Sequence, residues 1–144
     1  MNNIPAEKVQ LLDWNTYHNY IEKLAKKIQI ASPELKYRYI AGVDPDDMII
    51  AVHLGHKLKL QVVTDMNILS LLLNFTDQND QLLVVSNIVE TGNSFREIMD
   101  QIKCSFDTAV IFKDQNSKFN PTYHVEIPTN HIYFPWQNCG LNIK

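Results

Sequence analysis

Leu82-Leu83-Val84-Val85-Ser86-Asn87-Ile88-Val89-Glu90-Thr91-Gly92-Asn93-Ser94-Phe95, continued by Arg96 to Ile102, is the stretch on which the fold turns. Four consecutive apolar residues, Leu82 to Val85, read as a strand covered on both faces, and such strands belong to parallel sheets. Thr91, Gly92, Asn93 and Ser94 follow as a small, donor-rich turn. Phe95, Ile98, Met99 and Ile102 then recur at helical spacing. Strand, tight polar turn and helix make the first half of an α/β crossover, in which the helix start presents unpaired N–H groups and a positive dipole end to an anion. The same residues also fit an ordinary strand-to-helix turn with Ser94 or Thr91 as N-cap.

Upstream, Asp13 stands as N-cap of a helix through about Lys27, with Tyr17, Ile21, Leu24, Ala25 and Ile28 on one face and Trp14 and Tyr17 as packing aromatics. Tyr37 to Ala41 reads as a short strand. The turn Gly42-Val43-Asp44-Pro45-Asp46-Asp47 places Asp46 or Asp47 to cap a second helix, Met48 to Leu58, which buries Met48, Ala51, Val52, Gly55 and Leu58. Leu60 to Thr64 is the next strand, and only Asp65-Met66-Asn67 separates it from the apolar run Ile68–Leu73. Downstream, Thr108 to Phe112 forms another buried strand. The tail carries short β segments at 124–127 and 131–134, punctuated by Pro121, Pro128 and Pro135. Strands alternating with helices predict an α/β fold: a parallel twisted sheet with helices on both faces and a small C-terminal β-rich hood, all in one domain spanning 1–144.

Composition narrows the function classes. The 144 residues are 45% hydrophobic and 20% charged, with a net charge of −3, ordinary values for a soluble domain. Without a concentrated basic surface, nucleic acid is disfavoured as a partner. Arg38 and Arg96 are the only arginines, a sparse supply for bidentate phosphate recognition. Cys104 and Cys139 have neither metal-ligand spacing nor a secreted disulfide pattern, and His53 and His56 lack a third metal ligand, so no metal site is expected. Nothing reads as a membrane span or signal peptide, and the expected location is the cytoplasm. A small-molecule ligand is the expected partner, and a homo-oligomer is admitted as the assembly.

These residues carry a resemblance. The central stretch resembles the nucleotide-binding signature of type I phosphoribosyltransferases: an apolar strand, two acids, two apolar residues, a further acid, then Thr-Gly and a small-residue loop. Val84-Val85, Ile88-Val89, Glu90 and Thr91-Gly92-Asn93-Ser94 supply the matching parts. The opening Trp14-x-x-Tyr17 helix is similar to that of the purine-specific members. The segment from Ile111 through Asn116-Ser117-Lys118-Phe119 to Phe134-Pro135-Trp136 looks like the C-terminal part of the xanthine-guanine type. The resemblance covers residues 11–138. It implies a 5′-phosphate at Thr91, Gly92, Asn93 and Ser94, Glu90 as the catalytic acid near the purine, and ribose contacts from Ser86 and Asn87. It also implies a purine held by Lys113, or by Asp114 in an ungapped alignment, and stacked on Phe134 or Trp136. Magnesium would be the cofactor of an active enzyme.

Two departures bear on activity. Ser86 and Asn87 stand where the family has its adjacent acids, and neither carries the charge that magnesium favours. Asp44-Pro45-Asp46-Asp47 stands where the family presents a cationic, N–H-rich pyrophosphate loop. Pro45 has no N–H, and three carboxylates repel an anion. The segment after Thr64 leaves little for a lid that would exclude water. The expected function is therefore a diverged purine phosphoribosyltransferase homologue that binds a phosphate or purine nucleotide with little or no transferase activity. An active purine phosphoribosyltransferase and an interaction protein with a vestigial pocket are the alternatives.

Overall fold

The structure, a computed structural model, describes residues 8–65, 82–102 and 105–137. The run Ile68–Leu73, the turn at 76–80, Cys104 and Cys139 lie outside the described residues. Among the described residues ten elements follow one another: β1 (Val9–Leu11), α1 (Trp14–Ala31), β2 (Tyr39–Gly42), α2 (Asp47–Leu58), β3 (Gln61–Val62), β4 (Leu82–Val89), α3 (Asn93–Ile102), β5 (Asp107–Lys113), β6 (Tyr123–Glu126) and β7 (His131–Tyr133).

Strands β3-β2-β4-β5-β6 form one sheet in that order, with every pairing parallel. The strand read from Leu82–Val85 is its centre, and it runs on to Val89. Side-chain alternation along β4 splits the core in two, as the period of two requires. Leu83 and Val85 join Ile40 and Ile111 beneath α1 and α2, whereas Leu82 and Val84 join Tyr39, Ala41 and Val110 beneath α3. Helices thus cover both faces, and Val84, Val85, Ala109 and Ile111 are fully buried. The C-terminal strands divide their allegiance: β6 extends the main sheet, and β7 pairs in parallel with β1, a strand the sequence did not announce.

Helix α1 begins as read, with the Asp13 carboxylate accepting the Thr16 N–H at 2.7 Å and Tyr17, Ile21, Leu24, Ala25 and Ile28 buried. Trp14 differs from Tyr17, being 55% exposed at the helix start. Helix α2 is rotated from its expected face. Val52 is exposed, and Ile50 and Leu54 are buried beside Ala51, Gly55 and Leu58. Five apolar residues in a row, Met48 to Val52, give no period from which to choose a face, so packing against β2 and β4 decides it.

Candidate functional site

Strands β2 and β4 are neighbours, with Gly42 opposite Val85. Their carboxyl ends therefore bring the turn at 42–47 beside the loop at 90–95. This is the edge where open α/β sheets bind ligands. A cleft of about 270 Å³ opens between them, lined by Val43, Asp44, Ser86 and the run from Ile88 to Phe95. The four residues expected to take a phosphate, Thr91 to Ser94, thus line one cleft together with Glu90 and Ser86.

The loop is held by local constraints. Gly92 has φ of +80°, and a Cβ placed there would meet the Phe119 ring at 2.6 Å. Glycine is required on both counts. Phe119 stacks on Phe95 with ring centroids 5.0 Å apart. Arg96 bonds the Thr91 carbonyl and the Asn93 side-chain oxygen, each at 3.0 Å, and so braces the loop from the first turn of α3. The Asn93 N–H donates to the Thr91 hydroxyl at 3.2 Å. The N–H groups of Ser94 and Phe95, in the first helical turn, have no partner within the helix and point out of its end.

The two residues at the expected ribose positions part company. Ser86 borders the cleft and donates its hydroxyl to the Ile88 carbonyl at 3.0 Å. Asn87 is 3% exposed and turned into the protein. Its side-chain oxygen accepts from the Tyr17 hydroxyl at 2.6 Å, and its amide donates to the Asp47 carboxylate at 3.0 Å and to the Asp46 carbonyl at 3.2 Å. The carboxamide is fully engaged within the fold, whereas Ser86, 7% exposed, still borders the cleft.

Asp47 is the buried centre of this arrangement. It is the first residue of α2, while Asp46 holds the N-cap position without a side-chain capping bond. Oδ1 of Asp47 accepts the Asn87 backbone N–H at 2.8 Å, and Oδ2 accepts the Asp44 N–H at 3.1 Å. Burial pushes the Asp47 carboxyl above its usual range, against the bonds from Asn87, Asp44 and Ser86 that pull it down. Burial first, then the charge of Asp47, pushes the Tyr17 phenol up.

The expected purine contacts are placed unevenly. Phe134 is 4% exposed, with Trp136 stacked on it at 5.0 Å and Tyr17 edge-on at 6.0 Å. It serves the core, because its neighbours already cover the ring. Trp136 is half-buried and borders a smaller cleft of about 140 Å³ with Ser86, Asp44 and Gln137. Its indole Nε1 is buried without a hydrogen-bond partner among the described residues. The Lys113 ammonium bonds the Asn120 side chain at 3.0 Å. Asp114, rather than Lys113, lines the cleft of about 580 Å³ that also contains Glu90, Thr91, Asn93 and Arg96. Sequence reasoning missed Asp47, Arg96 and Phe119 as parts of the site. Arg96, one of two arginines and one turn into the loop's helix, was the signal at hand.

No protein-family model matches the sequence. No curated protein matches it as a relative. Solved structures do match. A purine phosphoribosyltransferase from Pyrococcus horikoshii superposes with a TM-score of 0.71 over 95% of this chain and 99% of its own, at 20% identity. The chain has the type I phosphoribosyltransferase fold. A xanthine-guanine-hypoxanthine phosphoribosyltransferase from Helicobacter pylori matches with a TM-score of 0.69 over 90% of this chain and 93% of its own, at 16% identity. A hypothetical protein from Neisseria gonorrhoeae, solved with bound ppGpp, reaches a TM-score of 0.74 over 94% of this chain and 91% of its own, also at 16% identity. Among the described residues no three metal-ligating side chains converge, and Asp44 and Glu90 are the carboxylates lining the main cleft.

Proposed function

We propose that this chain binds a purine nucleoside 5′-monophosphate and has little or no phosphoribosyl-transfer activity. The observation that carries the reading is the contrast between the two parts of the cleft. The turn from Thr91 to Ser94 presents its hydroxyls and the helix start to the opening, chemistry suited to a phosphate monoester. The strand end beside it has lost both charges expected of a transferase, and Asn87 is engaged with Tyr17 and Asp47. In this reading the phosphate rests on Thr91 to Ser94, Ser86 meets the ribose hydroxyls, and Trp136 offers the aromatic surface nearest the base. Glu90, at the mouth of the loop, lies within the cleft to accept a hydrogen bond from the base. A purine ligand is supported by the names of the purine phosphoribosyltransferases that share the fold.

The test is calorimetric titration with guanosine and inosine monophosphates, beside a thermal melt with each. Millimolar or tighter binding, with a rise in melting temperature, is the expected result, because a ligand selective for the folded state must stabilise it. Absence of binding by both nucleotides and by free phosphate would hand the fold to an interaction role.

A further inference from the structure

Two strand-to-helix turns stand side by side at this edge of the sheet, and their backbone donors have different fates. In the β4–α3 turn Asn93 N–H is held by the Thr91 hydroxyl at 3.2 Å and Arg96 N–H by the Gly92 carbonyl at 3.1 Å, while Ser94 and Phe95 between them line the cleft. In the β2–α2 turn the N–H groups are consumed internally. Val43 N–H bonds the Val85 carbonyl at 3.1 Å, Asp47 N–H the Asp44 carbonyl at 2.9 Å, Met48 N–H the Pro45 carbonyl at 3.1 Å and Ile49 N–H the Asp46 carbonyl at 3.4 Å. Asp44 N–H bonds the Asp47 carboxylate at 3.1 Å, and Pro45 has no N–H. The Asp47 carboxylate also takes the backbone N–H and side-chain amide of Asn87 at 2.8 and 3.0 Å. This tight closure depends on Gly42, where a Cβ would come within 2.8 Å of the Asp47 carbonyl group.

We infer that Asp47 acts as an internal ligand that seals the β2–α2 turn, restricting the nucleotide pocket to a single phosphate and excluding pyrophosphate-bearing ligands. The inference rests on the nucleotide-binding reading for its ligand class and adds the residue that sets the phosphate count. A carboxylate that accepts donors from Asp44 and from Asn87 holds both sides of the turn, so an entering second phosphate meets acceptors in place of donors. Asp44, which lines the same cleft, adds a like charge at the mouth. Exclusion is therefore built by two effects, donor capture by Asp47 and repulsion by Asp44, and only the first is removed by changing Asp47.

The experiment titrates inorganic phosphate, inorganic pyrophosphate and guanosine monophosphate into the wild-type chain, Asp47→Asn and Asp47→Ser, with circular dichroism to establish folding. Asp47→Asn keeps the volume and an acceptor for Asn87, and it presents an amide where the Asp44 N–H is now bound, so that turn must open. The wild type is expected to bind pyrophosphate no tighter than phosphate. The folded variants are expected to bind pyrophosphate at least about tenfold tighter than the wild type does, a shift equivalent to about 1.4 kcal/mol. A wild type that prefers pyrophosphate over phosphate by tenfold, or folded variants that keep the wild-type ratio, overturns the inference. Failure of guanosine monophosphate to bind the wild type strikes the nucleotide reading alone, because a gain of pyrophosphate binding in the variants would still show the seal released.

Discussion

At the scale of single residues, the Tyr17–Asn87–Asp47 chain couples three elements, since Tyr17 lies on α1, Asn87 on β4 and Asp47 on α2. Asn87 donates to Asp47 and accepts from Tyr17, a pattern that a carboxamide satisfies and an ionised carboxylate does not. Asn87→Asp would set a second carboxylate about 3 Å from the first and leave one buried oxygen without a donor. The expected loss is about 3 kcal/mol at neutral pH, partly recovered on acidification, read from urea unfolding at two pH values. Tyr17→Phe removes one donor only and should cost about 1 kcal/mol. Asp47 itself has a pH signature. Burial holds its folded carboxyl above the ordinary aspartate range, so the folded state holds that proton more tightly than the unfolded chain does. The group's contribution favours folding below the unfolded pKa and is lost as pH rises through the folded one. Thermal melts should therefore show Asp47→Asn gaining on the wild type as pH rises above the ordinary aspartate range; a constant difference would mean that the buried carboxyl does not titrate there. None of this network was legible in the sequence. Asp47 and Asn87 are 40 positions apart, and the acids of the turn read as a solvated, repelling cluster until the backbone path turned one of them inward.

At the scale of elements, the patterned segments were legible, and β1 was not. Helix α1 followed from its apolar spacing and its cap, and Asp13→Ala should cost about 1 kcal/mol in chemical unfolding by exposing the bonded Thr16 N–H. The central strand followed from four apolar residues with a turn behind them. By contrast, β1 spans three residues, too few to show a period, and it is defined by its partner β7, which the segment at 131–134 had announced. The loop at 90–95 was legible because small residues between a strand and a helix leave few other structures. Its support was not, since Phe119 reaches it from the segment after β5. That support changes what Gly92→Val should do. The valine needs a left-handed φ and must displace the Phe119 ring, so a loss of about 2 kcal/mol is expected beside the loss of nucleotide binding. Adding Phe119→Ala removes the ring but keeps the Phe119 Cβ, which also lies 2.6 Å from the added Cβ, so part of the clash and all of the backbone strain stay and binding should not return. Recovery of binding in the double variant would show that the ring clash, and not the loop conformation, was decisive.

At the scale of the whole molecule, the chain shares its fold with phosphoribosyltransferases, and the proposed lack of transfer follows from where its charges lie. A pyrophosphate leaving group needs cations and donors on the side of the cleft away from the 5′-phosphate, where it can be stabilised as negative charge develops. That side here is the turn at 42–47, which presents Asp44 and Asp46 outward and closes its N–H groups on its own carbonyls and on Asp47. Arg96, at the opposite wall, is committed to the loop carbonyl of Thr91 and to Asn93. Guanine, xanthine or hypoxanthine offered with phosphoribosyl pyrophosphate and magnesium should consequently give no measurable nucleotide, and turnover should lie well below the roughly 1 s⁻¹ expected of an ordinary enzyme. Ser86→Asp with Asn87→Asp would return two acids to the strand end, yet the turn would stay sealed and Asp47 would acquire a repelling neighbour. That double variant should remain inactive and melt earlier than the wild type. If the wild type turned over at an ordinary rate, the turn would have to open during the reaction, and hydrogen exchange at the Asp44 and Asn87 amides would then accelerate when phosphoribosyl pyrophosphate binds; slow exchange at both amides with and without it is the outcome the sealed turn requires.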